Sequence, residues 1–248
     1  MNEKKIKIFA DVEDLNEFAA NEFVCLCNES IAERGIFTVA LSGGSTPKKL
    51  NTLLASDEFR SKIEWRKIQF FFGDERCVPP DSEESNYRMA DETLFSKLEI
   101  PPANIHRFLT ETGDAKTVAE KMQGEIKAFF KLEENEFPRF DLIFLGMGAD
   151  GHTASLFPET SALKDEERIV AENYVPKFET FRLTFTFPTI NNSRNVIFLV
   201  AGEDKAEAAR EVLEGEYNPQ KSPSQKVKPK SGKLLFLLDE KAARLISK

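Results

Sequence analysis

Residues 140–158 read FDLIFLGMGADGHTASLFP, an apolar run followed by a glycine-rich turn. The run LIFL at 142–145 is continuous and has the length of a strand that is buried on both faces. The turn after it carries Asp150 and one of the two histidines of the chain, His152. A buried strand that ends in such a turn is typical of the carboxyl edge of an α/β sheet, where ligands bind. We therefore expect His152 to lie at a functional site.

Patterns typical of strands and helices alternate along the rest of the chain. Short apolar runs predict strands at 5–9, 36–41, 67–72, 141–145, 169–173, 182–187, 195–201 and 234–238. Longer periodic segments predict helices at 11–35, 47–55, 86–98, 117–134, 204–213 and 239–246. Segment 217–233 is polar and contains several prolines, which predicts a loop or a lid. Strands separated by helices predict one α/β domain over residues 1–248, with a doubly wound, mainly parallel, Rossmann-like sheet.

The composition of the chain indicates which classes of partner are not expected. The formal net charge of -8 is unfavourable for nucleic-acid binding, which depends on a basic surface. No apolar run approaches the ~20 residues of a membrane-spanning helix, so no membrane partner is expected. The three cysteines form no cluster with histidine, so we expect no metal. An odd number of cysteines without a disulfide pattern favours a reducing, cytoplasmic location.

Three turns rich in glycine or charge each follow a predicted strand, at 42–46, 73–76 and 146–153. In an open parallel sheet such turns meet at one edge. The first turn offers backbone N–H groups, hydroxyls and the N-terminus of the next helix, all of which favour a phosphate or another anion. The alternative is a tight strand-to-helix connection in which a hydroxyl caps the helix. We expect an anion site formed by Ser42, Gly43, Gly44, Ser45 and Thr46.

The central turn also fits the dinucleotide pattern G-x-G-x-x-G, at Gly146, Gly148 and Gly151. That pattern requires a full helix after the turn and an acidic residue at the end of the next strand. Pro158 follows Gly151 by only seven residues, and the next predicted strand ends in an asparagine. A phosphate-binding loop of the Walker type would need a lysine where His152 stands. Nucleotide binding is therefore not expected.

His152 and its neighbours form a set that can activate water. Imidazole ordinarily titrates near neutral pH, so it can take a proton from a water molecule that attacks a carbonyl. A positive group such as Arg76, or N–H donors, can stabilise the oxyanion that forms. The chain contains no G-x-S-x-G elbow and so no sign of an acyl-serine route. A lone histidine is more often a hydrogen-bonded structural residue, which we expect of His106 but not of His152.

Short segments along nearly the whole chain carry a family resemblance. They are SGGSTP at 42–47, GDER at 73–76, SN at 85–86, GMGADGHTASLFP at 146–158, RLT at 182–184, GEDKA at 202–206 and LLD at 237–239. Together they resemble the 6-phosphogluconolactonase family, and the run through His152 is the most specific of them. The resemblance implies a fold shared with glucosamine-6-phosphate deaminases and ribose-5-phosphate isomerase.

This resemblance implies hydrolysis of 6-phospho-D-glucono-1,5-lactone to 6-phosphogluconate in the oxidative pentose phosphate pathway, without a cofactor. His152 would act as the general base, and Asp150 would orient it or simply hold the turn. Arg76 would stabilise negative charge on the oxyanion or on the bound substrate. The expected partner is a small sugar phosphate lactone, and the protein a monomer or a weak homodimer. The residues expected to hold the phosphate are Ser45, Thr46 and, on the resemblance alone, Arg182 and Lys205.

Two alternatives remain open. Deaminases that act on glucosamine-6-phosphate share the anion turn and a Gly-x-Asp-Gly-His turn, but continue into Asn-Glu-Pro where this chain reads TASLFP at 153–158. They also carry Asp-Glu-Tyr where this chain has Asp-Glu-Arg at 74–76. Both differences favour the lactonase. The second alternative is a non-catalytic sugar-phosphate-binding module, but such regulators usually carry a DNA-binding helix-turn-helix, whereas this chain starts with a predicted strand.

Overall fold

The computed structural model describes residues 4–247 and has an α/β architecture. The strands are β1 (Lys4–Phe9), β2 (Phe37–Leu41), β3 (Ile68–Phe72), β4 (Asp74–Arg76), β5 (Leu142–Leu145), β6 (Val170–Val175), β7 (Thr180–Phe185), β8 (Asn195–Val200) and β9 (Lys233–Asp239). The helices are α1 (Val12–Arg34), α2 (Ser45–Leu54), α3 (Asp57–Arg60), α4 (Asn86–Thr93), α5 (Ala115–Phe130), α6 (Phe187–Asn191), α7 (Ala206–Glu214) and α8 (Glu240–Ala243). Within residues 4–247, no helix combines the length and the apolar composition of a membrane span.

Six strands form a parallel sheet in the order β1-β9-β8-β5-β2-β3. Every pair of neighbours in it is parallel, which confirms the predicted fold class. The strand that follows β2 in the chain, β3, lies on one side of it, whereas β5 lies on the other side. The order of the strands therefore reverses between β2 and β5. Such a reversal leaves a crevice at the carboxyl ends of the two strands.

The long helix α1 begins and ends at the signals in the sequence. The side chain of Asp11 accepts a hydrogen bond from the N–H of Asp14 at 2.9 Å, and Gly35 ends the helix with a φ of 77°. Two other predicted helices are shorter than expected. α4 ends at Thr93 because the next two residues turn into the core as part of a 3-10 turn, and α8 covers only part of 239–246.

A second sheet corrects the prediction for three segments. β4, β7 and β6 form an antiparallel sheet in that order. The strands predicted at 169–173 and 182–187 therefore lie outside the parallel sheet, and segment 73–76 is largely a strand instead of a turn. The cause is long-range pairing. The carbonyl of Gly73 accepts a hydrogen bond from the N–H of Phe185 at 2.8 Å, and the residues after Gly73 then pair with β7.

The core is built largely from phenylalanine. Among residues 4–247, the largest fully buried side chains are all phenylalanines. Phe198 and Phe236 stack between β8 and β9 with ring centroids 4.4 Å apart, and Phe23 of α1 packs edge-on against Phe37 of β2 at 5.3 Å. Each such ring buries about 150–250 Å². This packing holds the sheet and α1 together and leaves the carboxyl edge of the sheet to the polar turns.

Candidate active site

A cavity of about 230 Å³ lies at the carboxyl ends of β2, β5 and β8. The turns at 42–46 and 146–153 both contribute to its wall, as do β4 and the segment before α7. Asp150 and Arg182 do not line the cavity. Asp150 is hydrogen-bonded to His152, and Arg182 is the cross-strand partner of Arg76, and both of these neighbours do line it. The predicted site residues that line the cavity are Ser42, Gly43, Gly44, Ser45, Thr46, Arg76, His152 and Lys205.

The 42–46 turn is shaped by two glycines and leads directly into α2. A Cβ atom on Gly43 would lie 1.9 Å from Oδ1 of Asn86, so a larger residue there would displace the Asn86 side chain. Gly44 has a φ of 105°, which residues with a side chain rarely adopt. Since α2 begins at Ser45, the N–H groups of Ser45 and Thr46 belong to a first turn without intrahelical acceptors. The turn therefore presents N–H donors, hydroxyls and the positive end of a helix dipole to the cavity.

His152 is held in the cavity wall by its own turn. Its Nδ1 lies 2.5 Å from Oδ1 of Asp150, and its ring stacks on Phe157 with centroids 4.1 Å apart. A Cβ atom on Gly148 would lie 1.9 Å from Nδ1, so this glycine leaves the room that the ring occupies. Nε2 has no hydrogen-bond partner among residues 4–247. Because a carboxylate beside Nδ1 favours a proton on that nitrogen, the lone pair of the neutral ring lies on Nε2.

Asp150 links His152 to the second sheet. Its Oδ2 lies 3.4 Å from Nζ of Lys177, at the tip of the hairpin that joins β6 and β7. Burial tends to raise the pKa of Asp150, but the hydrogen bond and charge of His152, together with the charge of Lys177, outweigh burial and hold this pKa well below its usual value. Asp150 is therefore a carboxylate at neutral pH and can accept a hydrogen bond from the Nδ1–H of His152.

Arg76 and Arg182 are cross-strand partners in β4 and β7. Arg76 lines the cavity and donates a hydrogen bond to the backbone carbonyl of Glu84. The guanidinium of Arg182 lies over the ring of Phe178 at 5.3 Å, and its Nε is buried without a hydrogen-bond partner among the described residues. Burial, and then the charge of Arg76, lowers the pKa of Arg182. Two positive groups this close, one of them desolvated, make this corner of the site favourable for an anion.

Lys205 reaches the cavity from the segment between β8 and α7. Its Nζ lies 2.9 Å from a carboxylate oxygen of Asp204. The Asp204 side chain is largely exposed, so the pair is weak. Nζ can therefore exchange this carboxylate for an anion bound in the cavity.

Asp74 and Asn86 also line the cavity, and the sequence analysis missed both. Asp74 is buried and accepts a hydrogen bond from the hydroxyl of Ser155 at 2.7 Å. The side chain of Asn86 donates to the backbone carbonyl of Asp74 at 2.9 Å. The carboxylate of Glu75, the residue after Asp74, accepts hydrogen bonds from the backbone N–H groups of Asn86 and Tyr87 at the start of α4. The signal was present, since Asp74 directly follows a strand at the carboxyl edge, but three charged residues in a row did not show which one faces the cavity.

Segment 217–233 contains a loop, as predicted, but it supports the site from behind. Both the N–H and the hydroxyl of Ser224 donate to the carbonyl of Gly151, at 3.0 and 2.8 Å. Ser222 packs against Gly151, which has a φ of 75°. No residue of this segment lines the cavity. The segment therefore braces the turn that carries His152 instead of closing over the substrate site.

Three further features bear on whether the chain has other sites: the second histidine, the match to the dinucleotide pattern, and the placement of residues that could bind a metal. His106 is hydrogen-bonded at both ring nitrogens, to Glu125 and to Gln69, as expected for a structural histidine. After Gly151 the chain forms short irregular turns and no full helix, so the G-x-G-x-x-G match lacks the context of a dinucleotide site. Among residues 4–247, no group of three or more His, Cys, Asp and Glu is placed to hold a metal ion.

The fold and the site define an α/β protein with a cleft at the switch point of a parallel sheet, and the wall of that cleft contains a helix N-terminus, cationic side chains and a histidine. The family model described as Glucosamine-6-phosphate isomerases/6-phosphogluconolactonase matches residues 10–236. The chain belongs to this family, as the resemblance in the sequence predicted.

Individual proteins are also similar to this chain in sequence or in structure. The 6-phosphogluconolactonase of Synechocystis sp. is 46% identical over 214 residues, which are 86% of each chain. The solved structure of 6-phosphogluconolactonase from Trypanosoma brucei has a TM-score of 0.88 at 29% identity and is matched over 100% of both chains. A monomeric glucosamine-6-phosphate deaminase has a TM-score of 0.79 over 97% of this chain and 99% of its own. Its identity of 21% means that this last likeness shows the fold alone.

Proposed function

We propose that this protein hydrolyses 6-phospho-D-glucono-1,5-lactone to 6-phosphogluconate, as part of the oxidative pentose phosphate pathway. The observation that carries the proposal is that His152 and the 42–46 turn line one cavity. The proposed general base and the proposed phosphate site therefore lie in the same cavity. The similarity to proteins named 6-phosphogluconolactonase supports the choice of substrate.

In the proposed reaction, Nε2 of His152 takes a proton from a water molecule whose oxygen attacks the lactone carbonyl. Asp150 holds the Nδ1–H and stabilises the imidazolium that forms. The tetrahedral oxyanion then collapses, the bond between the carbonyl carbon and the ring oxygen breaks, and the imidazolium returns its proton to that oxygen. The product has a new hydroxyl and a new carboxylic acid, which releases the second proton of the water to the solvent and becomes a carboxylate. The steps need only proton transfer and charge stabilisation, so the proposal includes no cofactor.

The proposed phosphate site is the 42–46 turn together with Lys205. Ser45 and Thr46 supply N–H and hydroxyl donors at the N-terminus of α2, a position that favours phosphate. Arg76 stabilises negative charge on the oxyanion or on the bound substrate. Arg182 adjoins Arg76 but does not line the cavity, so direct phosphate binding by Arg182 stays a prediction of the sequence. The single domain, the cytoplasmic location and the monomeric or weakly dimeric state also stay predictions.

Turnover of two substrates by the full chain tests the proposal. We expect acid release from the lactone well above spontaneous hydrolysis in the same buffer, and no ammonia release from glucosamine-6-phosphate. The His152→Ala variant should hydrolyse the lactone about 100- to 10,000-fold more slowly than the wild type and still bind 6-phosphogluconate in calorimetry. Ammonia release without lactone hydrolysis would favour the deaminase. Binding of 6-phosphogluconate with turnover of neither substrate would favour a sugar-phosphate-binding module.

A further inference from the structure

The tip of the β6–β7 hairpin reaches the proposed catalytic pair from the second sheet. Nζ of Lys177 lies 3.4 Å from Oδ2 of Asp150, and the other oxygen of Asp150 lies 2.5 Å from Nδ1 of His152. Among residues 4–247, no other lysine or arginine forms an ion pair with Asp150. We propose that Lys177 is a positioning residue, which fixes Asp150 and thereby sets the orientation and the charge balance of His152. Its effect on catalysis rests on the proposed function, whereas its effect on the imidazole does not.

The neighbouring residue explains how Lys177 keeps its place although its side chain is 64% exposed. Phe178 packs edge-on against Phe157 with centroids 5.6 Å apart, and the ring of Phe157 stacks on the ring of His152. The guanidinium of Arg182 lies over the Phe178 ring. A 3-10 turn that starts with a proline restricts the backbone at this point. Phe178 therefore anchors the hairpin tip between the histidine and the arginine pair.

The charge of Lys177 has a defined direction of effect on His152. The carboxylate of Asp150 favours the imidazolium, and the ammonium of Lys177 offsets part of that field. Removal of Lys177 leaves Asp150 less compensated, so His152 binds its proton up to a higher pH. The substitution does not alter the other charged groups that face the ring across the cavity, which are Asp74 and Arg76 from β4 and Lys205 from the segment before α7.

Proton NMR can measure this effect because the chain has only two histidines. The imidazole C–H signals are titrated in the wild type and in Lys177→Met, with His152→Gln to assign the signals and His106 as an internal reference. We expect the His152 midpoint to rise by about 0.3 pH unit in Lys177→Met, the size typical of a largely exposed ion pair. Lys177→Arg should keep the wild-type midpoint.

Lys221→Met is the matched control, because Lys221 is also a largely exposed lysine in a weak ion pair, on the loop that braces the His152 turn. It should leave both midpoints unchanged. Equal His152 midpoints in the wild type and Lys177→Met would overturn the inference, as would an equal shift in Lys221→Met.

Kinetics with the lactone give a second readout. Lys177→Met should lower kcat about threefold with KM unchanged, and the acid limb of kcat/KM should move to higher pH. A change in KM alone, with an unmoved midpoint, would overturn the positioning role and assign Lys177 to substrate binding. A wild type without lactone hydrolysis would contradict the proposed function and leave the NMR result standing.

Discussion

The two histidines of the chain have nearly the same surroundings, but the proposed function gives them different roles. Each has a carboxylate oxygen 2.5 Å from Nδ1, from Glu125 at His106 and from Asp150 at His152. Each ring stacks on a phenylalanine, with centroids 4.2 Å and 4.1 Å apart. The difference is Nε2, which lies 2.8 Å from Gln69 in His106 and has no partner among the described residues in His152. A stacked histidine–carboxylate pair is therefore no sign of catalysis unless its second nitrogen is left available at a cavity.

The partner of Nε2 also bears on whether each histidine contributes to the stability of the fold or can react with water. At His106 both nitrogens are hydrogen-bonded and the ring contacts Phe71 and Phe129, so the residue contributes to stability. At His152 the side chain is 27% exposed, against 11% for His106, and water can reach the ring. Three experiments test this comparison, from the largest expected effect to the smallest.

Substitution of each histidine by glutamine tests the comparison most directly. His152→Gln should lower kcat for the lactone by about 100- to 10,000-fold, because general-base catalysis is lost. His106→Gln should leave kcat unchanged and lower the free energy of unfolding by about 1–2 kcal/mol, because ring stacking and a hydrogen bond are lost. Lactone hydrolysis and urea unfolding measure the two effects. A similar loss of kcat in both variants would show that the available nitrogen does not distinguish them.

Gly148→Ala tests whether the position of the ring matters as much as its chemistry. The new Cβ atom would lie 1.9 Å from Nδ1 of His152, so the ring must move and kcat should fall about 100-fold. The control is Gly124→Ala in α5, where a Cβ atom meets nothing within 4 Å. That variant should keep kcat and gain about 0.5–1 kcal/mol of stability, because alanine favours a helix more than glycine does. An unchanged kcat in Gly148→Ala would mean that the ring is mobile in its turn.

The pH dependence of stability tests the carboxylate of Asp150. Its pKa is lower in the folded protein than in the unfolded chain, where it is about 3.9, so its stabilising effect is present above that pH and is lost as the pH falls towards the folded value. The stability of the wild type relative to Asp150→Asn should therefore decrease on acidification below about pH 4. Thermal unfolding of both variants across this range measures the trend. A difference that does not change with pH would contradict the lowered pKa.

Local patterns in the sequence determined most of the fold and the centre of the candidate site. A buried parallel strand is a continuous apolar run, and the turn after it needs glycine for reasons confined to a few residues. The parallel sheet, α1 and the meeting of the 42–46 and 146–153 turns could therefore be predicted. The resemblance in the sequence reached the family by the same short segments.

Only the tertiary structure decided what lies around that centre. β4 was predicted as a turn because its strand character comes from pairing with β7, more than 100 residues away in sequence. Arg182 was predicted in the cleft from the resemblance alone, and only the structure shows that it is the cross-strand partner of Arg76, which lines the cavity. The contact of Lys177 with Asp150 and the available Nε2 of His152 also depend on which distant side chains meet. Apolar runs and turn residues record local preferences, whereas cross-strand partners and hydrogen-bond partners are set by packing of the whole chain.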